Sequence, residues 1–394
     1  MRFRTHGSSA PYRWPLLISL IVIVLVAGVA VVTPAGASLA SNAPEDDGAL
    51  QWTRVHEAPD VHWNRIHFVD RNVGYAVGGL HWNETIGTSS FAKTTDGGLT
   101  WTTKPIPGSR HFMMGIACLD AETCWVAGTN QMWRTNDGGE KWVSLTNQSG
   151  YTGFLWSTEV AKDRLTVLMG TTGYKVDTGL TGNFLRSVNG SSFTAVVAGL
   201  TLVNWDIECL PGGVCNGAAK NQMYRSLNYG SSWSRYLVGS DQSARFYGLN
   251  CTDSKTCWMV GMRWDDLPAT PFNPIVYTKD GGKTWARAAV TGLPRSGQLW
   301  DVHMVDNQHG YAVGCESVSI EDTKCTTPGV VLRTTDGHNW SAIPAPTLPD
   351  KAPGFMDLWV FGMDDVFLLD WEGNIWHGTG APEETPTPTP SPTP

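Results

Sequence analysis

The stretch Thr94-Thr95-Asp96-Gly97-Gly98-Leu99-Thr100-Trp101 decides how this chain folds. It reads as a tight hairpin turn: the aspartate accepts amides of its own turn, glycine takes positive φ, and tryptophan pins the returning strand. The pattern recurs as TNDGGEKW ending at Trp142, SVNGSSF at Phe193, SLNYGSSW at Trp233, TKDGGKTW at Trp285 and TTDGHNW at Trp340. The opening residues Thr94, Thr135, Ser187, Ser226, Thr278 and Thr334 are spaced by 41, 52, 39, 52 and 56 residues. Propeller blades show such a period, with about four short strands each.

Outward from each box lies a second pattern. WNRIHFVDRNVGYAVGG, GIACLDAETCWVAG, WDIECLPGGVCNGA, GLNCTDSKTCWMVG and DVHMVDNQHGYAVG all read as strand, short polar turn, strand, the inner hairpin of a blade. LWSTEVAKDRLTVLMG is the divergent third member, and FMDLWVFGMDDVFLLDWEGNIWHG begins a seventh blade with no box after it. Gln51-Trp52-Thr53-Arg54-Val55 resembles the segments that come after the other boxes and is expected to supply the missing outer strand, closing the ring. The expected fold is an all-β seven-bladed propeller with an N-terminal hydrophobic helix before it. Its architecture rests on Asp96, Asp137, Asn189, Asn228, Asp280 and Asp336.

Cysteines keep to the same frame. Cys118/Cys124, Cys209/Cys215 and Cys251/Cys257 occupy equivalent places around the inner turn, where blades one and six carry Phe68/Gly74 and Met304/Gly310. Cys315 and Cys325 bracket an insertion, so all eight cysteines can pair locally as disulfides. The spacing of structural zinc sites is absent, and no metal or cofactor is expected.

The N-terminus carries Arg2, Arg4 and Arg13, then the uncharged run Leu16–Val32, then Glu45, Asp46 and Asp47. This order predicts export of the chain beyond the apolar run and an extracytoplasmic location, periplasmic, lumenal or at the cell surface. Residues 1–37 read as a signal anchor, with the N-terminus cytoplasmic, or as a signal peptide cleaved near Ala35-Gly36-Ala37. Residues 38–380 form the propeller, and the Pro/Thr-rich residues 381–394 a disordered stalk. The exported part holds 25 basic against 36 acidic residues, net −11, which argues against a nucleic-acid partner. The chain is expected to be a monomer that meets the membrane through its N-terminal segment.

Taken together, the boxes and the D-x-x-x-G-Y-A-V-G hairpins (Asp70 to Gly78; Asp306 to Gly314) resemble two things. The boxes resemble the Asp-box, or bacterial neuraminidase repeat. The composite over about residues 50 to 380 resembles the Ycf48/Hcf136-like photosystem II stability and assembly factors. That resemblance implies a non-enzymatic propeller that holds a membrane-protein precursor during assembly. The alternatives are a surface binder of glycan or protein and an Asp-box glycoside hydrolase of sialidase type.

The enzyme alternative stands or falls on particular residues. The early R-I-P signature of sialidases is matched by Arg65-Ile66 alone, with His67 in place of proline. Lys93, Arg134, Arg186, Arg225 and Arg333 stand three residues before the box acid or amide, a repeat feature expected to radiate outward and not to converge on a carboxylate. Aligned first strands place Asp206, Asp301 and Asp357 in one column, with Glu159, Glu208 and His303 two residues on, positions expected to face a central channel. The column just before them reads Asn64, Met114, Trp156, Trp205, Tyr247, Trp300 and Met356. Trp156, Trp205, Tyr247 and Trp300 either form a binding platform at the channel mouth or wedge between blades as core. No catalytic residue is assigned.

Overall fold

The computed structural model describes residues 49–380 apart from 80–87, 147–152, 162, 164, 176–178, 182–183, 197–202, 240–243, 264–273, 295–296, 318–324, 326–327 and 348–353. The expected anchor at 1–37 and stalk at 381–394 lie outside the described residues. Seven antiparallel sheets succeed one another along the chain, each running from an innermost to an outermost strand. Blade one shows the plan: His62–Phe68, Gly74–Gly79, Ser90–Thr94 and Thr102–Pro105.

Blade seven is built from both ends of the propeller. Phe355–Gly362, Asp365–Asp370 and Asn374–Thr379 are completed by Gln51–Glu57, which pairs antiparallel with the last of them from Gln51↔Thr379 to Glu57↔Asn374. The closing strand is two residues longer than the sequence suggested. It also explains the missing seventh box: strands three and four of this blade have no covalent turn between them, so no hairpin needs one. Two blades exceed four strands. Gly179–Thr181 adds to blade three, and Ala289–Thr291 runs parallel to Asn339–Ile343 outside blade six.

The boxes hold their turns as their chemistry requires. The Thr94 hydroxyl donates to Asp96 at 2.8 Å and accepts the Gly98 amide at 2.9 Å, while Asp96 accepts the Thr100 amide at 2.9 Å. Gly97 and Gly98 both take positive φ, 74° and 86°. The inner turns use a second aspartate: Asp70 accepts the amides of Asn72 and Val73, and Asp120, Asp253 and Asp306 do the same in their blades.

Neighbouring blades are stitched through their second strands. Trp125 donates its indole N–H to the Gly190 carbonyl at 2.6 Å and Trp258 to that of Gly337 at 2.8 Å, while the hydroxyls of Tyr75 and Tyr311 reach Ala121 and Met363. The cations before the boxes stitch as well. Lys93 donates to the Gly138 carbonyl, Arg134 to Ser191, Arg186 to the Tyr229 carbonyl and Arg225 to that of Ser254. They do not converge, but these four reach sideways to the next turn where free outward projection was expected, because a buried stem beside a carbonyl-rich turn favours the bonded head group.

Disulfides join Cys118–Cys124, Cys209–Cys215, Cys251–Cys257 and Cys315–Cys325. Each of the first three spans directly paired residues of an inner hairpin. Blades one and six fill that volume differently. A Cβ on Gly74 would stand 2.7 Å from the Phe68 ring, and one on Gly310 2.4 Å from the Met304 sulfur. A large residue facing glycine thus replaces two cysteines. Four disulfides fit an oxidising, extracytoplasmic compartment.

Candidate functional site: the central channel

Every inner hairpin breaks register at the same place. The pairing skips one residue between Trp63 and Arg65, Met113 and Gly115, Leu155 and Ser157, Asn204 and Asp206, Phe246 and Gly248, Leu299 and Asp301, and Phe355 and Asp357. The skipped residues are Asn64, Met114, Trp156, Trp205, Tyr247, Trp300 and Met356, the aromatic column of the sequence. A β-bulge leaves its extra residue unpaired and re-aims its side chain. Simple alternation would send this column and the acidic one to opposite faces. The bulges instead bring both to the channel.

The seven bulge residues and Arg65 line one cavity at the channel mouth. Trp205 and Tyr247 meet edge to face at 4.9 Å, Tyr247 and Trp300 lie tilted at 4.8 Å, and Trp156 stacks on Phe154 at 5.8 Å. Tyr247 is 7% and Met356 9% exposed, and the three tryptophans are half-buried. None of the seven belongs to the hydrophobic clusters between blades, which are filled by residues such as Trp125, Trp258 and Phe367.

Beneath the mouth, the Arg65 guanidinium reaches from blade one across the axis. Its distances are 2.8 Å to Asp357, 3.3 Å to Asp206 and 3.8 Å to Asp301, acids of blades seven, four and six. Burial pushes the Asp206 carboxyl up to about 6 against the pull of Arg65. Asp301 is raised well above the usual carboxylate range by burial and by the neighbouring Asp357. From the sequence, Arg65 stood out solely as a fragment of a sialidase signature. Charge alone could have found its role, since it is the one base in the column Arg65, Gly115, Ser157, Asp206, Gly248, Asp301, Asp357.

The acids have structural work as well. Asp206 accepts the Leu249 amide at 2.9 Å, Asp357 that of Ile66 at 2.6 Å, Glu159 that of Cys209 at 3.4 Å, and Glu208 that of Cys251. Asn250 accepts the Met304 amide at 2.8 Å in the same way. Each bond runs to the next blade, whose inner strand is a sheet edge with amides that lack a strand partner. Where the column has glycine, the strands close in: a Cβ on Gly115 would stand 2.6 Å from the Thr158 nitrogen. A catalytic carboxylate pair needs oxygens free for substrate and water. Asp206, Asp357 and Glu208 instead have both oxygens in bonds to the protein.

No protein-family model and no curated protein matches this chain. Solved structures do resemble it. A solved structure of YCF48 bound to D1 peptide is 16% identical, with a TM-score of 0.59 over 84% of this chain and 97% of that one. YCF48 from Cyanidioschyzon merolae is also 16% identical, with a TM-score of 0.58 over 84% of this chain and 99% of that one. A catalytically inactive virginiamycin B lyase from Staphylococcus aureus, with quinupristin, is 11% identical, with a TM-score of 0.57 over 84% and 99%. At these identities the likeness establishes the propeller fold, which hosts both binders and an enzyme.

Proposed function

We propose that this chain is a non-enzymatic, extracytoplasmic binding factor of the Ycf48/Hcf136 kind, which holds a segment of a partner protein against the mouth formed by Trp156, Trp205, Tyr247 and Trp300. A membrane-protein precursor is the partner this reading favours. The observation that carries it is the bulge repeated in all seven blades, which spends seven register breaks on presenting one rim of side chains. Large aromatics offer contact area at small cost in side-chain entropy, the property that concentrates binding energy at protein interfaces. The likeness to a propeller solved with a bound peptide supports the same reading. Residues 1–37 act here as anchor or export signal, 38–380 as the binding ring and 381–394 as a spacer.

The test compares full-length protein with a Trp205→Ala, Trp300→Ala double variant in pull-downs from native membranes. The wild type is expected to recover one unassembled membrane protein. The variant should lose it by about tenfold or more, as for two central interface aromatics, while its melting temperature stays near wild type. Misfolding of the variant would assign these residues to the scaffold. Turnover of a sialoside or β-glucan that is abolished by Asp301→Asn would overturn the non-enzymatic reading.

A further inference from the structure

The six boxes share one turn but not one acid. Four carry aspartate, while blades three and four carry Asn189 and Asn228 in its place. Asn228 is followed by Tyr229, but Asn189 is followed by Gly190. A glycine amide has no side chain beside it, so its nitrogen can approach the preceding carboxamide closely.

The hydrogen bonds set Asn189 apart as well. In the other five boxes the next amide is held at 2.9 Å: Gly97 donates to the Asn72 carbonyl, Gly138 to that of Glu122, Tyr229 to that of Gly213, Gly281 to that of Lys255, and Gly337 to the Thr334 hydroxyl. Among the described residues the Gly190 amide meets no such acceptor. The exposed Asn189 carboxamide is gripped by its oxygen, which accepts the Ser187 hydroxyl at 3.0 Å and the amides of Ser191 and Ser192 at 2.9 Å. Three donors on one oxygen stabilise the negative charge that develops there when a nucleophile adds to the carbon. The Asn228 nitrogen, by contrast, donates to the Ser232 hydroxyl at 2.9 Å. Asn216, which also precedes a glycine, is 0% exposed and has its nitrogen on Cys251 and its oxygen on Arg225.

We propose that Asn189 is a site of spontaneous deamidation, at which the folded box turns its asparagine into the aspartate that four sister turns carry. Hydroxide takes the Gly190 amide proton, and the nitrogen pair adds to Asn189 Cγ. The intermediate collapses and expels the side-chain nitrogen, which takes a proton from water and leaves as ammonia. Water then opens the succinimide at Cγ: the Cγ–N bond breaks, its pair and a proton return to the Gly190 nitrogen, and residue 189 is left as a carboxylate. The donors that face the Cγ oxygen favour this opening over attack at the backbone carbonyl, which would give isoaspartate and lengthen the main chain. A lengthened turn would also disturb the bonds from Trp125 to the Gly190 carbonyl and from Arg134 to Ser191. The product suits its place, because the equivalent Asp280 is held at about 2 by the hydroxyl and amide of Thr284. This chemistry belongs to the turn and stands apart from the binding reading above.

The experiment incubates the full chain in heavy-oxygen water at physiological pH and temperature and maps the incorporated label by peptide mass spectrometry, with the chain unfolded in denaturant as reference. Label is expected at residue 189 about tenfold faster, or more, than at Asn228 or Asn216. Aspartate should be the main product in the folded chain and isoaspartate in the unfolded one. Ser187→Ala removes one donor from the carboxamide oxygen and should slow the conversion by about tenfold. Asn189→Asp should melt no lower than wild type. An Asn189 that stays amidated in the folded chain while it converts in the unfolded one overturns the proposal, as does isoaspartate as the main folded product. Faster conversion in Ser187→Ala overturns it too, since the turn would then protect the residue. Should that variant fail to fold, the wild-type comparison of Asn189 with Asn228 and Asn216 decides, and equal rates at the three positions refute a role for the turn.

Discussion

At the rim of this propeller and at its axis, aspartates meet opposite fates. In the boxes, Asp280 is held at about 2 by the hydroxyl and amide of Thr284, and Asp336 lies lower still through the Asn339 amide and side chain. At the axis Asp206 rises to about 6 and Asp301 well above the usual carboxylate range, although an arginine stands among them. Both groups accept backbone amides, so hydrogen bonding alone does not separate them. The difference is water and crowding: the rim acids are solvated and solitary, whereas three axial acids share one guanidinium out of solvent. Rim acids therefore build turns at little electrostatic cost, while axial acids lock blades together under strain.

The comparison breaks most directly at Arg65. Replacing it with methionine leaves the three axial acids, Asp301 and Asp357 buried and Asp206 largely so, without their cation and should cost about 3–5 kcal/mol in chemical denaturation, the range for a broken buried ion pair. Adding Asp301→Asn and Asp206→Asn to that variant should recover part of the loss, since the uncompensated charge goes too. No recovery would mean that the acids matter to the fold through their amide bonds alone. At the rim, Thr94→Ala removes the hydroxyl that accepts the buried Gly98 amide and should cost about 1–2 kcal/mol, confined to one turn. A cost as large as that at Arg65 would erase the distinction.

The smallest expected effect is in pH. Asp206 binds a proton more readily folded than unfolded, so its share of stability is complete below the ordinary value of 3.8 and is lost as pH rises through about 6. Asp280 has the reverse sign: its share is present above 3.8 and is lost as pH falls through about 2. Unfolding free energy should accordingly rise from neutral pH into the mildly acid range and fall again in strong acid. Asp206→Asn should flatten the neutral-to-acid limb and leave the strongly acid limb alone. An unchanged neutral limb would place the raised proton affinity elsewhere.

Much of this is legible in the sequence. Six boxes at blade spacing, three cysteine pairs at one place in the repeat and the orphan strand at Trp52 determine the seven-bladed ring, because hairpin turns, local disulfides and alternation all act over a few residues. The aromatic and acidic columns are visible too, as is the choice they pose between platform and core. Two things waited for the tertiary structure. The bulge before each acid turns two successive side chains to one face, and it depends on how an inner strand meets its neighbour, which alternation along a single strand cannot express. Arg65 meets Asp206, 141 residues away, and Asp357, 292 residues away, because closing the ring brings the first blade beside the last and across the axis from the fourth. Short-range chemistry wrote the scaffold into the chain, and the closure of the ring decided what its centre became.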